Sequence, residues 1–233
     1  MTTAVILAGG LGTRLRSVVT DLPKPMAPLN GRPFLEYLMQ YWADQGISRF
    51  LLSVGYHHEK ISNHFGDRFS GLPVDYVVED QPLGTGGGLL LALDALAREK
   101  RALLLNGDTY FAVDLDLLSQ LAESEDADWC FSLYRDSDTD RYMGMRLNDQ
   151  GRIIKLRDES PGPDCLVNGG VYLFKPSALE GRYPAGSTLS LEDDIFTDAL
   201  DSGQRLYGLQ CEGTFIDIGI PADYHRAAKI LVK

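Results

Sequence analysis

Residues 7–15 read Leu7-Ala8-Gly9-Gly10-Leu11-Gly12-Thr13-Arg14-Leu15, and after a short gap the chain continues Pro23-Lys24-Pro25. Glycines leave no Cβ between the backbone amides and an approaching anion, and they accept positive φ at little cost. Successive amides in such a loop make an anion-binding concavity. Arg14 adds a planar fork of donors and Lys24 a compact point charge, a pairing suited to a polyphosphate. The prolines flanking Lys24 limit backbone freedom and favour an extended approach. An ordinary strand-to-loop turn would use the same glycines, but the arginine and the Pro-Lys-Pro step weigh towards phosphate binding. Two familiar phosphate loops do not match. Leu15 stands where the third glycine of a dinucleotide fingerprint belongs, and the cluster Gly84-Thr85-Gly86-Gly87-Gly88 lacks the lysine of a Walker A loop.

Two carboxylates have the surroundings for charge chemistry. Asp108 follows the apolar run Ala102–Leu105 through Asn106-Gly107. That puts it at the carboxyl end of a strand, where open α/β sheets bind ligands. An Asx turn or a helix cap would look the same locally. Asp217 lies between Ile216 and Ile218 and so alternates off a strand face. A solvated edge-strand acid is the plainer alternative there.

Strands and helices must position these residues. Ala4–Leu7, Phe50–Val54, Val74–Val78 and Ala102–Leu105 read as strands. Between them fall helices over Pro33–Gln45, near Glu59–Phe65 and over Leu89–Ala97, the first with Phe34, Leu35, Leu38, Tyr41 and Trp42 on one face. That alternation predicts a mostly parallel sheet covered on both faces. Trp129–Leu133, Gly144–Leu147, Ile153–Leu156 and Val167–Phe174 follow with short connections, predicting antiparallel or mixed pairing that completes the sheet. A helix over Leu191–Leu200, strands at Tyr207–Leu209 and Phe215–Ile218, and a helix from Pro221 towards Leu231 close the chain. No repeat or linker divides it, so residues 1–233 are expected to form one domain, with halves of about 1–110 and about 111–233 that differ in strand pairing.

The net charge is −11 over 233 residues. Nucleic acid is thereby disfavoured as a partner, since its recognition needs a basic stripe, whereas a nucleotide can still be held by a local cluster such as Arg14 and Lys24. No apolar run approaches a membrane span and no leader is evident, so no membrane partner and a cytoplasmic location are expected. Cys130, Cys165 and Cys211 are odd in number and far apart, which suggests reduced, buried thiols. The four histidines show no metal-helix spacing and read as surface or cap residues. Oligomeric state, a homodimer included, stays open.

The loop, the Pro-Lys-Pro step, Asn106-Gly107-Asp108-Thr109-Tyr110 and the late Phe215-Ile216-Asp217-Ile218-Gly219 together resemble the sugar-1-phosphate nucleotidyltransferases, from Val5 to about Tyr224. The wording from Gly12 to Pro28 is most like the D-glycero-α-D-manno-heptose 1-phosphate guanylyltransferases. The resemblance implies a Rossmann-like three-layer α/β sandwich of the nucleotide-diphospho-sugar transferase type, with a mixed, mostly parallel central sheet. It implies catalysis by Arg14, Lys24 and Asp108, with Mg²⁺ held by Asp108 and Asp217. It places the nucleotide on Leu7, Ala8, Gly9, Gly10, Gly12, Thr13, Arg14, Lys24, Gln81, Gly84 and Thr85, within a segment Glu79–Gly86 that lines the base. A turn and helix start would produce those same later glycines. It places the sugar on Gly144, Asn168, Gly169 and Glu192, although an acid at Glu192 would also favour a helix dipole. The walls that would admit a heptose are Asp138–Gly144 and Asn168–Val171. The chain departs from the family at Glu159, where many members carry a lysine for the sugar phosphate; either Lys155 or Arg157 replaces it, or the phosphate is held another way.

The implied partners are GTP and a manno-configured heptose 1-phosphate. Mannose 1-phosphate or another hexose phosphate with UTP or dTTP is the alternative, and a non-catalytic nucleotide-sugar sensor is the alternative from another class. Retention of Arg14, Lys24, Asp108 and Asp217 argues against a sensor. Replacing Arg14 with alanine is expected to lower turnover about a hundredfold or more, the usual loss for a preorganised charge donor. Pyrophosphate release at the wild-type rate would remove Arg14 from the chemistry.

Overall fold

The computed structural model describes residues 2–10, 12, 15, 21–136, 144–157 and 165–231. The first apolar run is β1 (Thr3–Leu7), buried almost throughout. Lys24–Met26 makes one 3₁₀ turn, and the short ribbon β2 (Pro28–Leu29) and β3 (Arg32–Pro33) leads into α1 (Phe34–Asp44). β4 (Arg49–Val54), α2 (His58–Phe65), β5 (Arg68–Phe69), β6 (Leu72–Val78), α3 (Gly84–Ala92) and β7 (Ala102–Asn106) complete the first half. The second contains β8 (Thr109–Phe111), α4 (Leu115–Ser124), β9 (Trp129–Asp136), β10 (Gly144–Leu147), β11 (Ile153–Leu156) and β12 (Cys165–Phe174). Then come α5 (Phe196–Asp201), β13 (Leu206–Gln210), β14 (Phe215–Asp217) and α6 (Pro221–Ile230).

Ten strands form one sheet whose main path runs β11-β10-β12-β7-β1-β4-β6-β5, with β9 on β12 and β13 on β9. β1 is parallel to β4 and to β7, and β4 is parallel to β6. β12 runs antiparallel to β7, and β9 antiparallel to β12. The parallel core and antiparallel extension are those expected from the strand–helix alternation. Leu38 and Trp42 of α1, Ile61 of α2 and Leu118 of α4 pack on one face of the sheet. Leu89 of α3 and Phe196 of α5 pack on the other, giving three layers. On that second face Trp129 stacks on Phe174 at 5.0 Å between ring centroids and meets Phe196 edge-on at 5.2 Å. A third cluster joins Phe34 and Leu29 to Ile216, Ile218 and Ala227, fixing α6 and β14 to the start of the chain.

Three predicted features differ. The helix expected over Leu89–Ala97 begins at Gly84 and gives way to a 3₁₀ turn at Leu93–Leu96. Glycine is a poor helix former, but close packing overrides that preference here: a Cβ on Gly87 would lie 2.6 Å from Ser187 O. The helix expected over Leu191–Leu200 is a single π turn at Leu191–Ile195 followed by α5. β8 and α4 occupy a stretch with no predicted element, although Asp114 caps α4 by accepting from Asp116 N and Leu117 N. No helix among the described residues is long and apolar enough to cross a membrane.

Candidate active site

β1, β4, β6 and β7 all point their carboxyl ends at one cavity of about 470 Å³. Leu7 is paired with Asn106, so the glycine loop after β1 and the Asn106-Gly107-Asp108 step after β7 leave the sheet side by side. Gly107 N donates to Leu7 O at 3.0 Å. A Cβ on Gly107 would come within 2.4 Å of that oxygen, so a glycine is required before Asp108. Leu7, Ala8, Gly9, Gly10, Gly12, Lys24, Gly84, Thr85, Asp108 and Glu192, all singled out in the sequence, line this one cavity.

At one end three charges converge. Lys24 Nζ lies 2.5 Å from Asp108 Oδ2 and 3.8 Å from Asp217 Oδ1, and the lysine side chain is only 10% exposed. β14 pairs with β8, setting Asp217 opposite Thr109 and so beside Asp108. Gly219 N donates to Asp217 Oδ1 at 2.6 Å, and Thr109 Oγ1 donates to Asp108 Oδ1 at 3.3 Å. Asp217 is thus an inward-facing acid and not a solvated edge residue. Two carboxylates around one bound ammonium make a donor set fitted to a hard divalent cation. Mg²⁺ takes only one or two protein carboxylates and fills its remaining positions with phosphates and water. No group of three or more ligating side chains occurs among the described residues.

At the other end Glu192 enters from the π turn. Burial raises its pKa above the ordinary carboxylate value and the neighbouring Asp193 adds to this, while hydrogen bonds from Thr85 and Ser190 act in the opposite sense. Between the two ends sits Tyr172, fully buried, with its phenol pushed well above its usual pKa by desolvation.

Glu79 and Asn106 also line the cavity, and neither was singled out as a site residue. Glu79 Oε2 accepts from Leu83 N at 3.0 Å and its Oε1 from Ser53 Oγ at 3.4 Å. Oε1 also occupies the space that a Cβ on Gly9 would need, 2.3 Å away. One carboxylate therefore pins the first glycine loop against the start of α3. Its place in the segment Glu79–Gly86 was the available signal.

Other expected residues lie apart from the cavity lining. Gln81 is exposed at its rim. Asn168 spans a register shift in β12: Nδ2 donates to Tyr172 OH at 2.7 Å and Oδ1 accepts from Gly170 N at 3.1 Å. Gly169 packs against the Phe111 ring, and Gly144 pairs with Val167. The structure therefore uses these three to shape β12 and its neighbours. Thr13, Arg14, Glu159 and the wall segment 138–143 lie outside the described residues. Arg157, one candidate for the missing lysine, forms an ion pair with Asp193 beside Glu192. Burial raises the thiol pKa of Cys130 to about 12 and that of Cys211 to about 11, which keeps both unreactive. His57 and His64 pair with Glu59 and Glu36 at the surface.

A mixed, mostly parallel sheet with a phosphate loop, an ammonium and two carboxylates at its carboxyl edge defines a nucleotide-handling enzyme. The chain belongs to the nucleotidyl transferase family, whose model matches residues 3–233. Its relatives sharpen the class. It is 40% identical to the D-glycero-alpha-D-manno-heptose 1-phosphate guanylyltransferase of Aneurinibacillus thermoaerophilus, over 98% of this chain and 97% of that one. It is 38% identical to the enzyme of the same name from Campylobacter jejuni, over 95% and 96%. The crystal structure of HddC from Yersinia pseudotuberculosis complexed with GMP-PN superposes with a TM-score of 0.85 at 32% identity, covering all of both chains.

Two outcomes test this site. Replacing Lys24 with methionine removes the resident cation. Manganese titration followed by electron paramagnetic resonance should then show about tenfold tighter metal binding without nucleotide, since a charge at this distance is worth about 1–4 kcal/mol. Unchanged affinity would separate the lysine from the metal site. The second outcome concerns stability. Glu192 has a raised pKa in the folded state, so its ionisation disfavours folding as pH rises past the unfolded value. Glu192→Gln should therefore raise the melting temperature at neutral pH, and the gain should vanish at pH values below the ordinary glutamate pKa of 4.5. A gain independent of pH would contradict the burial penalty.

Proposed function

We propose that the chain transfers GMP from GTP to D-glycero-α-D-manno-heptose 1-phosphate, forming GDP-heptose and pyrophosphate. The observation that carries this is the convergence of Lys24 and Asp108, with Asp217 directly behind the lysine, in the same cavity that Glu192 lines. An anion-compensating centre and a hydroxyl acceptor thus share one space. The identity to heptose 1-phosphate guanylyltransferases over nearly the whole chain supports the choice of substrates.

In this reading a phosphate oxygen of the sugar phosphate attacks the α-phosphorus of GTP in line. The bond from the α-phosphorus to the bridging oxygen breaks, and pyrophosphate leaves with that electron pair. The attacking oxygen is already ionised near neutrality, so no general base is needed, and positioning and electrostatics supply the rate. Mg²⁺ on Asp108 and Asp217 would neutralise charge on the phosphates. The amides of Leu7 to Gly12 and the Arg14 and Lys24 side chains hold the polyphosphate. Backbone groups of Gly84 and Thr85, with Gln81, face the base. Glu192 accepts hydrogen bonds from sugar hydroxyls, and Arg157, paired with the neighbouring Asp193, serves the sugar phosphate. Asn168, Gly169 and Gly144 set the strand that walls the sugar. The two halves, about 1–110 and 111–233, act as one domain, and GTP as donor places the reaction in the cytoplasm. The product would serve surface polysaccharide synthesis.

A matrix of four nucleoside triphosphates against several sugar 1-phosphates tests the assignment. GTP with the heptose phosphate should turn over fastest. Mannose 1-phosphate should be poorer, because groups that bind the added hydroxyl would go unpaired. Asp108→Asn should abolish metal-dependent pyrophosphate release with every sugar. Equal turnover of mannose and heptose phosphates would refute the heptose specificity and leave nucleotidyl transfer standing, and preference for UTP or dTTP would remove the guanylyl assignment.

A further inference from the structure

The nucleotide-side loop and the sugar-side turn are joined by a clasp that the roles above leave unused. Leu189 N donates to Leu83 O at 2.9 Å, and Leu189 O accepts from Gly86 N at 2.8 Å and Gly87 N at 3.3 Å. Gly84 has φ of +75°, and a Cβ there would lie 2.5 Å from Leu189 O, so the two backbones meet directly. Thr85 sits at the centre of this contact. Its Oγ1 accepts from Leu191 N at 2.8 Å and donates to Glu192 Oε2 at 3.3 Å. Ser190 Oγ lies 3.4 Å from the same carboxylate oxygen and accepts from Asp193 N at 3.0 Å. One threonine hydroxyl thus satisfies the amide at the mouth of the π turn and also bonds to the buried carboxylate that faces the cavity. The β-branch of threonine restricts χ1, so this hydroxyl is pre-set and not recruited on binding.

We propose that Thr85 is a positioning residue for the sugar substrate: its hydroxyl holds Glu192 in the orientation that accepts sugar hydroxyls, and the clasp ties that carboxylate to the loop that receives the nucleotide. The proposal rests on the reading of Glu192 as the sugar acceptor. A carboxylate buried this far needs donors to remain ionised and aimed, because desolvation penalises its charged form. The titratable groups that face it are Asp193 on its own turn and the Tyr172 phenol from β12, neither of which supplies a positive charge, while Arg157 nearby is paired with Asp193. A backbone hydrogen bond at Glu192 itself and the hydroxyls of Thr85 and Ser190 favour the ionised form, and of these only the Thr85 hydroxyl comes from the nucleotide side of the cavity.

The test compares Thr85→Val, which keeps the side-chain shape without the hydroxyl, with Thr85→Ser, which restores it. Thr85→Val should raise the KM for the sugar phosphate about tenfold, the scale of one lost hydrogen bond to a charged group, with kcat within about twofold. GTP affinity by calorimetry should fall far less than sugar-phosphate affinity, because Thr85 meets the nucleotide through its backbone groups, and Thr85→Ser should return the KM. The acid limb of kcat/KM for the sugar phosphate should move to higher pH in Thr85→Val, because losing a donor to the ionised form raises the carboxyl pKa. A lower melting temperature with an unmoved acid limb would assign Thr85 to capping the turn alone and overturn the proposal. So would an unchanged KM for the sugar phosphate, or equal losses in GTP and sugar affinity. If the wild-type protein forms no product from any substrate pair, the proposed reaction fails. Calorimetric binding of heptose 1-phosphate to wild type and Thr85→Val then decides the role of Thr85 by itself, with equal affinities overturning it.

Discussion

The ammonium of Lys24 between Asp108 and Asp217 is the interaction on which the geometry of the site turns. Three groups of opposite charge, each partly withdrawn from water, come from the segment after β1, the end of β7 and the end of β14. Withdrawn charges must be paired, and any displacement of one segment would leave another unpaired at several times the cost of the pairing itself. The sheet meets this demand through register. Leu7 opposite Asn106 brings the glycine loop to Asp108, and Thr109 opposite Asp217 brings the second carboxylate to the first. The prolines on both sides of Lys24 and the 3₁₀ turn that follows keep the ammonium at that meeting point.

The opposite end of the cavity rests on apolar packing. Phe196, directly after the π turn, is wedged against Trp129, Phe131 and Tyr172 on the sheet, and this anchors the turn that carries Glu192. An α-helix starting at Leu191 would wind this stretch more tightly; the π turn accommodates one extra residue, the kind of local departure that recurs at functional sites. Burying a carboxylate there costs stability, and the aromatic cluster offsets it. The antiparallel extension of the sheet is therefore more than cover for the parallel core. It supplies the rigid face on which the sugar-side acid is mounted.

Much of this was legible in the residues. The pattern at Ala4–Gly12 reads as a strand that empties into a loop, because Val5 and Ile6 favour extended backbone and the glycines after Ala8 favour a turn. The alternation of strands and amphipathic helices up to Asn106 translated directly into the parallel core. The helix over residues 115–124 was missed even though Asp114 and the spacing of Leu115, Leu118 and Ala122 carry its signal. The glycine cluster at 84–88 was read as a loop because propensity counts against a helix there. Only contact with residues 187–189, a hundred positions later in the chain, makes small residues on that helix necessary. Glu79 escaped notice for a similar reason, since its role comes from lying beneath Gly9 and beside Ser53.

By itself the sequence determined the chemistry available: amides for an anion, a lysine and an arginine for phosphate charge, two acids on or after apolar strands, and an acid, Glu192, late in the chain. These follow from residue type and near neighbours, which are local properties. Only the tertiary structure decided which of these groups share a cavity, and which polar side chains serve it and which serve the scaffold. Asn168 is spent on Tyr172 and Gly170, whereas Thr85 reaches across to Glu192. The physical reason is that hydrogen-bond partners are settled by packing between segments far apart in sequence, and no local pattern encodes the register that brings them together.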